Sequence, residues 1–161
     1  MLDNGSKAPD FEGTAQDGRT ITLSSYRGRP VVLYFYPKAN TTGCTLEARG
    51  FAEHYPELKN AGAEVIGVSV DTVDAQKSFS DKCHLPFPLV ADHDKSIAKK
   101  YGVLGLLGIA KRVTFLLDPE GTVVERVEGM MPGRHVERAV ARLAAPRAPG
   151  PPPTDPPGTT V

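Results

Sequence analysis

The feature that most constrains the fold is an unbroken apolar run from Val31 to Tyr36, which stops at Pro37. A strand with one wet face alternates apolar and polar residues, whereas a strand covered on both faces reads as continuous apolar sequence. Proline ends such a strand because it cannot donate a hydrogen bond to the sheet ladder. The run therefore predicts a buried central strand.

Length and charge narrow the class of protein. The chain has 161 residues, enough for one domain with a substantial core. Lysine plus arginine number 19, as do aspartate plus glutamate, so the balance gives no electrostatic reason to expect nucleic acid or an anionic membrane as partner. No apolar stretch is long enough to cross a bilayer, and the first residues show no secretory pattern. We expect a cytoplasmic protein whose thiols are kept reduced.

Strand and helix signals alternate along the rest of the chain. Their order is strand, helix, strand, helix, strand, helix, hairpin and helix, which predicts an α/β fold with a mixed central sheet flanked by helices. The prolines of Pro86–Val90 suit a sheet edge or a strand start. The other predicted elements are a helix carrying Leu46, Phe51, Tyr55 and Leu58, the strand Glu64–Val70, a helix capped at Asp71 or Thr72 and running to about Cys83, the helix Asp94–Tyr101, the hairpin strands Val113–Leu117 and Thr122–Val127, and the helix Arg134–Leu143.

The end of the chain differs in composition, because seven of the sixteen residues 146–161 are proline. Proline cannot donate to a helix or a sheet, and little of this segment could be buried. We expect one folded domain over residues 1–145 and a disordered or polyproline-like tail over residues 146–161. The alternative is that the tail is a ligand for a proline-recognising partner.

The segment after the first strand carries the candidate chemistry. Cys44 falls in the first turn of the following helix, where its sulfur faces unpaired backbone N–H groups and the positive end of the helix dipole. Both favour the thiolate, the nucleophilic form of cysteine. Thr41 is placed to cap the helix, or to donate a hydrogen bond to the sulfur or to a bound oxygen. Taken singly, Cys44 could equally be a small buried core residue, Thr41 only a cap and Pro37 only a strand terminator.

Pro37, Thr41 and Cys44 form the spacing Pro-x-x-x-Thr-x-x-Cys, which resembles the active-site motif of the peroxiredoxins. The flanking residues resemble the bacterioferritin comigratory protein or Q-type branch of that family. Three other segments also resemble the family, one before this loop and two after it, so the resemblance runs from about Gly5 to Leu143. The matching stretches are Lys7–Phe11 (KAPDF), Phe35–Lys38 (FYPK), Gly43–Glu47 (GCTLE), Lys99–Val103 (KKYGV) and Arg112–Asp118 (RVTFLLD).

The resemblance implies a thioredoxin-like fold with an N-terminal β extension, and a site in the loop that begins at Pro37. It implies that Cys44 is the peroxidatic cysteine and that Thr41 and Arg112 complete the site. Glu47 is expected to orient the site groups from the helix face. Without the resemblance, Arg112 would pass for a surface arginine and Glu47 for a first-turn glutamate. The implied reaction is reduction of hydrogen peroxide and organic hydroperoxides, with no cofactor and no metal.

A second thiol must then act on the sulfenic acid of Cys44. Many relatives carry it five residues further along the same helix, where this chain has Arg49. Another version of the Q-type branch implies Cys83 as the resolving cysteine, with an intramolecular Cys44–Cys83 disulfide, a thioredoxin-like reductant and a monomeric protein. A disulfide needs Cα atoms within about 7 Å, so we expect one or both helix ends to unwind. The alternative is that Cys83 is a core cysteine without a role.

Two other functions and one departure from the family complete the expectations. A thiol–disulfide oxidoreductase would need Cys-x-x-Cys, but Glu47 stands three residues after Cys44. A non-enzymatic binding or holdase protein would tolerate loss of Cys44, and a peroxidase would not.

Thr42 stands where the branch commonly has proline, which would pre-set the first helical turn. Residues 92–94, Asp-His-Asp, are expected to form a capping turn and not a metal site.

Overall fold

In the computed structural model, which describes residues 1–144, one seven-stranded sheet carries helices on both faces. Its strands are β1 (Glu12–Ala15), β2 (Thr20–Thr22), β3 (Val31–Phe35), β4 (Glu64–Ser69), β5 (Leu89–Ala91), β6 (Val113–Leu117) and β7 (Val123–Glu128). The helices are α1 (Thr42–Glu53), α2 (Tyr55–Asn60), α3 (Val73–Cys83), α4 (Ser96–Tyr101) and α5 (Pro132–Ala139), with a 3-10 turn over Leu23–Tyr26 and a π turn over Val140–Ala144. The tail expected over residues 146–161 lies outside the described residues.

The strand order is β2-β1-β5-β4-β3-β6-β7. Strand β3 runs parallel to β4 and antiparallel to β6, so the predicted mixed sheet is confirmed. The β1–β2 hairpin extends the sheet by pairing with β5. Strand β5 therefore lies inside the sheet, so of the two expectations for the prolines of Pro86–Val90 the sheet edge is wrong and the strand start is confirmed. Its prolines cause no conflict because Pro86 and Pro88 both precede the first residue of β5.

The continuous apolar run of β3 is explained by two separate cores, one on each face of the sheet. Val31, Leu33 and Phe35 pack on one face, and Val32, Tyr34 and Tyr36 pack on the other. The first core is covered by α4 and the amino-terminal segment. The second core is covered by α1, α2, α3 and α5. Because successive side chains of a strand point to opposite faces, every residue of β3 has to be apolar.

Two helices differ from the sequence-based expectation. The single helix expected through Leu58 is divided at His54, after which α2 begins with Pro56 at its second position. Proline inside a continuous helix would lose a hydrogen bond and clash with the carbonyl of Ala52, four residues earlier. The last helix starts at Pro132, earlier than the expected Arg134, because proline is well suited to the first helical position.

The turn at residues 92–94 caps α4, as the sequence indicated. The two carboxylate oxygens of Asp92 accept hydrogen bonds from the backbone N–H groups of Ile97 and Ala98, at 3.0 and 2.7 Å. Asp94 accepts a third from the N–H of Ser96 at 3.1 Å. These bonds satisfy donors that the helix leaves unpaired at its start. Over residues 1–144 no group of three or more His, Cys, Asp and Glu side chains is placed to hold a metal ion, and no helix is long and apolar enough to span a bilayer.

Candidate active site

The loop from β3 to α1 is held by the neighbouring strand β4. The backbone N–H of Ala39 donates to Asp71 at 2.8 Å, and Ser69 donates to the same carboxylate oxygen at 2.6 Å. Pro37 is partly buried in this loop, while Asn40 has a left-handed backbone with φ of 65°. Asparagine tolerates that conformation better than most residues. The loop thereby turns the chain sharply from the sheet into the helix that carries the cysteine.

Thr41 is the residue before α1, but its side chain does not cap the helix. Its hydroxyl donates to the carbonyl of Lys38 at 2.8 Å, and the side chain is exposed. A hydroxyl has a single hydrogen to donate, so in this state Thr41 does not donate to the sulfur of Cys44. The expected capping hydrogen bond is therefore wrong, and the structure does not bring the Thr41 hydroxyl to the thiol.

Cys44 is the third residue of α1, and its side chain is a free thiol with 1% of its surface exposed. The first backbone N–H groups of α1 have no partner within the helix, and they point toward the side from which an anion would approach. The thiol thus lies inside the second core while facing the donor end of a helix.

Arg112 reaches this thiol from a distant part of the chain. It directly precedes β6, whose Val113 pairs with Phe35 at the end of β3. The guanidinium is buried, and its Nη2 lies 3.4 Å from the Sγ of Cys44, while its Nη1 donates to Oε1 of Glu47 at 2.5 Å. One planar group therefore holds the thiol and the carboxylate together.

The close approach of Arg112 requires glycine at position 43. A Cβ added to Gly43 would lie 2.9 Å from Nη2 of Arg112, closer than real Cβ contacts. The guanidinium cannot easily move away, because it is buried and bonded to both Cys44 and Glu47. The glycine of the motif is thus explained by space for the arginine.

Glu47 is a fully buried carboxylic acid one turn beyond Cys44. Burial raises its pKa from 4.5 to about 8, in spite of the opposing attraction of Arg112. Burial lowers the pKa of Arg112, but the negative charges of Glu47 and Cys44 outweigh it, and the net shift is upward. The guanidinium therefore stays charged while the carboxyl can be neutral near physiological pH.

His135, on α5, lies outside the motif that the sequence indicates, and the structure places it in this cluster. It is fully buried, and its Nδ1 lies 2.8 Å from the hydroxyl of Thr114 and 3.8 Å from Oε2 of Glu47. Its Nε2 lies 2.7 Å from the carbonyl of Gly129. The sequence signal that could have identified His135 was a polar residue next to Val136, on the apolar side of the predicted last helix.

Cys83 is the last residue of α3 and is also a free, buried thiol. It packs in the same core as Cys44, among aromatic side chains that include Tyr34. The ring of Tyr34 lies 4.6 Å from that of Phe51 and 6.1 Å from that of Phe87, measured between ring centroids. The structure thus brings Cys44, Glu47 and Arg112 together and keeps Cys83 in the same core without a bond to Cys44.

A buried thiol at a helix start beside a guanidinium is the arrangement of thiol-based redox proteins built on the thioredoxin fold. Residues 4–126 match the model of a protein family described as the AhpC/TSA family. The match covers more than half of the chain, so the chain belongs to the AhpC/TSA family, in its peroxiredoxin Q or bcp branch.

Relatives of that branch come from plants and bacteria. A chloroplastic peroxiredoxin Q of Oryza sativa subsp. japonica is 45% identical over 124 residues, which are 76% of this chain and 57% of the rice protein. A bcp-type peroxiredoxin of Coxiella burnetii is 39% identical over 150 residues, which cover 88% of this chain and 99% of that protein. The chain therefore spans little more than half the length of the plant relative.

Solved structures agree with this assignment. Peroxidoxin BcpB from Mycobacterium tuberculosis matches with a TM-score of 0.85 and 34% identity, covering 92% of this chain and all of that one. A Xanthomonas campestris bacterioferritin comigratory protein, studied for alkyl peroxide reduction, matches with a TM-score of 0.78 and 35% identity over 83% of this chain and 89% of that one. The thioredoxin-like fold with its N-terminal β extension is confirmed.

Proposed function

We propose that this protein is a thiol peroxidase in which Cys44 attacks the peroxide. The thiolate sulfur bonds to one peroxide oxygen, the O–O bond breaks, and the other oxygen leaves as water or an alcohol after taking up a proton. Cys44 becomes a sulfenic acid, the first step of thiol oxidation. The observation that carries the proposal is the Arg112 guanidinium, whose Nη2 lies 3.4 Å from the sulfur while Glu47 holds Nη1.

Thiolate formation alone would not make such a reaction fast. For a cysteine in general, lowering the pKa from about 8.5 to about 6 raises the thiolate fraction at pH 7 only about thirtyfold. Nucleophilicity also falls with the pKa, which offsets part of that gain. The larger effect must come from donors that hold the two peroxide oxygens in the transition state. Arg112 and the backbone N–H groups at Gly43 and Cys44 supply them in this proposal.

The substrates in this proposal are hydrogen peroxide and organic hydroperoxides. A groove of about 690 Å³ lies between α1 and α5, and Leu46 is the lining residue that stands nearest to Cys44 in the sequence. Its lining includes Leu46, which is 60% exposed, together with Pro132 and Val136. This apolar lining suits the hydrocarbon part of an organic hydroperoxide, a substrate class in keeping with the alkyl peroxide reduction studied in the Xanthomonas campestris protein.

Cys83 then resolves the sulfenic acid. Its thiolate attacks the oxidised sulfur of Cys44, a disulfide forms, and the oxygen leaves as water. The required unwinding would begin at the end of α3, where His84 follows the helix in a left-handed backbone with φ of 53°. An external dithiol of the thioredoxin kind returns the pair to thiols. In this proposal the enzyme works as a cytoplasmic monomer.

Intact-mass measurement after adding one equivalent of hydrogen peroxide to the reduced protein tests this cycle. A loss of two hydrogen atoms, with Cys44 and Cys83 in one cross-linked peptide, supports both cysteine roles. A gain of one oxygen atom that persists on Cys44 keeps the peroxidase and removes Cys83 from it. An unchanged Cys44 contradicts the peroxidase, as would full peroxide turnover by Cys44→Ser.

A further inference from the structure

The second oxygen of Glu47 has no assigned partner. Oε1 accepts the hydrogen bond from Arg112, but Oε2 is buried and makes no hydrogen bond within the described residues. A buried carboxylate oxygen without a partner is costly. Its nearest charged or titratable neighbour across the helix interface is His135, whose Nδ1 lies 3.8 Å away.

The hydrogen bonds of His135 define which ring nitrogen is free to exchange a proton. Nε2 faces the carbonyl of Gly129 at 2.7 Å, and a carbonyl only accepts, so Nε2 carries a hydrogen. Nδ1 faces the hydroxyl of Thr114 at 2.8 Å, and a hydroxyl can donate or accept. Nδ1 is therefore the atom that can be either protonated or bare, and it is the atom that faces Glu47.

The charges around Glu47 favour one extra proton in this cluster. Four titratable or charged groups face Glu47: Cys44 on its own helix, Arg112 before β6, His135 on α5 and Tyr34 on β3. The pKa of Tyr34 is raised by burial and by nearby negative groups that include Glu47. A thiolate and a carboxylate against one guanidinium would leave a buried net negative charge, which is unfavourable. One proton on either Glu47 or His135 makes the cluster neutral.

We propose that His135 is a positioning residue of the peroxide site: when its side chain and that of Glu47 close the 3.8 Å between Nδ1 and Oε2 to hydrogen-bond distance, these two atoms share one proton. With that proton present, Oε1 still holds Arg112 in place, while the positive charge of the guanidinium is available to the sulfur and the peroxide. When the proton is lost to solvent at higher pH, the Glu47 carboxylate competes for that charge. This inference rests on the proposed peroxidase function and assigns a role to a residue outside the motif.

The proton should remain until mildly alkaline pH. Burial raises the pKa of Glu47 to about 8 and lowers the pKa of His135, so the carboxyl holds the proton over the neutral range. The rate of peroxide reduction per Cys44 thiolate should therefore fall as the pH rises through about 8. His135→Asn replaces the basic imidazole nitrogen by an amide, which cannot take up the proton and stabilises the protonated acid less, so the fall should move to lower pH by about one unit.

Thr114→Val shifts the balance in the opposite direction and preserves the fold. Valine has the shape of threonine and suits a buried strand, but it leaves Nδ1 of His135 without the hydroxyl hydrogen bond. Nδ1 is then a better acceptor for the proton of Glu47, so the fall in rate should move to higher pH. Glu47→Gln should abolish the fall, and adding His135→Asn to Glu47→Gln should leave the shape of the profile unchanged.

The experiment measures two quantities from pH 6 to 10 for each variant: the rate of sulfenic acid formation divided by the thiolate fraction of Cys44, and the ¹³C NMR titration of the Glu47 carboxyl. His93→Asn, at an exposed position in the turn before α4, is the control and should superpose on the parent. Opposite shifts for His135→Asn and Thr114→Val support the shared proton. Profiles that superpose on the parent overturn it, even if His135→Asn lowers the melting temperature.

The NMR titration separates this inference from the proposed function. A Glu47 titration that shifts with His135→Asn, in a protein that does not react with peroxide, would uphold the shared proton and refute the peroxidase. A reactive protein whose Glu47 titration ignores both variants would uphold the peroxidase and leave His135 as a packed core residue.

Discussion

Arg112→Lys separates the two contributions of the guanidinium, its charge and its geometry. Nη1 holds Glu47 at 2.5 Å while Nη2 lies 3.4 Å from the sulfur of Cys44. A lysine ammonium keeps the charge but is a single point, so it cannot hold both partners in the planar fork. Losing one preorganised donor in a transition state costs about 10²–10³ in rate, or about 2.7–4 kcal/mol. We expect the second-order rate constant with hydrogen peroxide to fall by about a hundredfold or more.

The assay must distinguish this loss from a smaller supply of thiolate. Because lysine retains the positive charge, the thiolate fraction of Cys44, measured from the pH dependence of its alkylation, should change far less than the peroxide rate. Rapid-quench mass spectrometry of the first oxidation step gives that rate without a reductant. A thiolate effect accounts for at most about thirtyfold, so any larger loss belongs to the geometry.

A matched control is available on the surface of the protein. Arg138 donates two hydrogen bonds to Glu125, at 2.7 and 2.9 Å, in the same kind of fork but away from Cys44. Arg138→Lys should leave the peroxide rate unchanged and should lower the melting temperature only slightly, because ion pairs near the surface contribute little to stability. Equal peroxide rates for Arg112→Lys and the parent would remove Arg112 from the mechanism.

Three further predictions concern the same cluster. The folded protein binds the Glu47 proton more tightly than the unfolded chain does, so the free energy of unfolding should decline as the pH rises from 4.5 to about 8. Urea denaturation of Glu47→Gln should show a weaker dependence of this free energy on pH. Parallel pH dependences for the variant and the parent would contradict the raised pKa of Glu47. Gly43→Ala places a Cβ within 2.9 Å of Nη2 of Arg112. The rate of peroxide reduction should therefore fall by up to about 10²-fold, with little change in the melting temperature. An unchanged rate would show that the guanidinium moves aside without cost. Cys83→Ser should leave the first oxidation of Cys44 intact but trap the sulfenic acid. In the parent protein, hydrogen exchange should show lower protection at the start of α1 and the end of α3 in the disulfide form than in the reduced form. Equal protection in the two forms would contradict the unwinding.

Local pattern determined much of this fold. The apolar run at residues 31–36 predicted a strand covered on both faces, and its alternate side chains do enter two separate cores. The hairpin predicted from the strands Val113–Leu117 and Thr122–Val127 is confirmed, because β6 and β7 pair antiparallel across the turn at Asp118–Gly121. Such features succeed because strand periodicity and turn chemistry act over a few neighbouring residues. The sequence did not place β5 inside the sheet, because that position depends on where the distant β1–β2 hairpin pairs.

By itself, the sequence determined the helix that carries Cys44 in its first turn and the family motif around the thiol. Only the tertiary structure decided the surroundings of that thiol, because Arg112 is 68 residues away and is placed by the register of β6 against β3. The same holds for His135, which reaches Glu47 through the packing of α5 on α1. Charge and burial at a site are sums over every element that meets there, and no local stretch of sequence contains that sum.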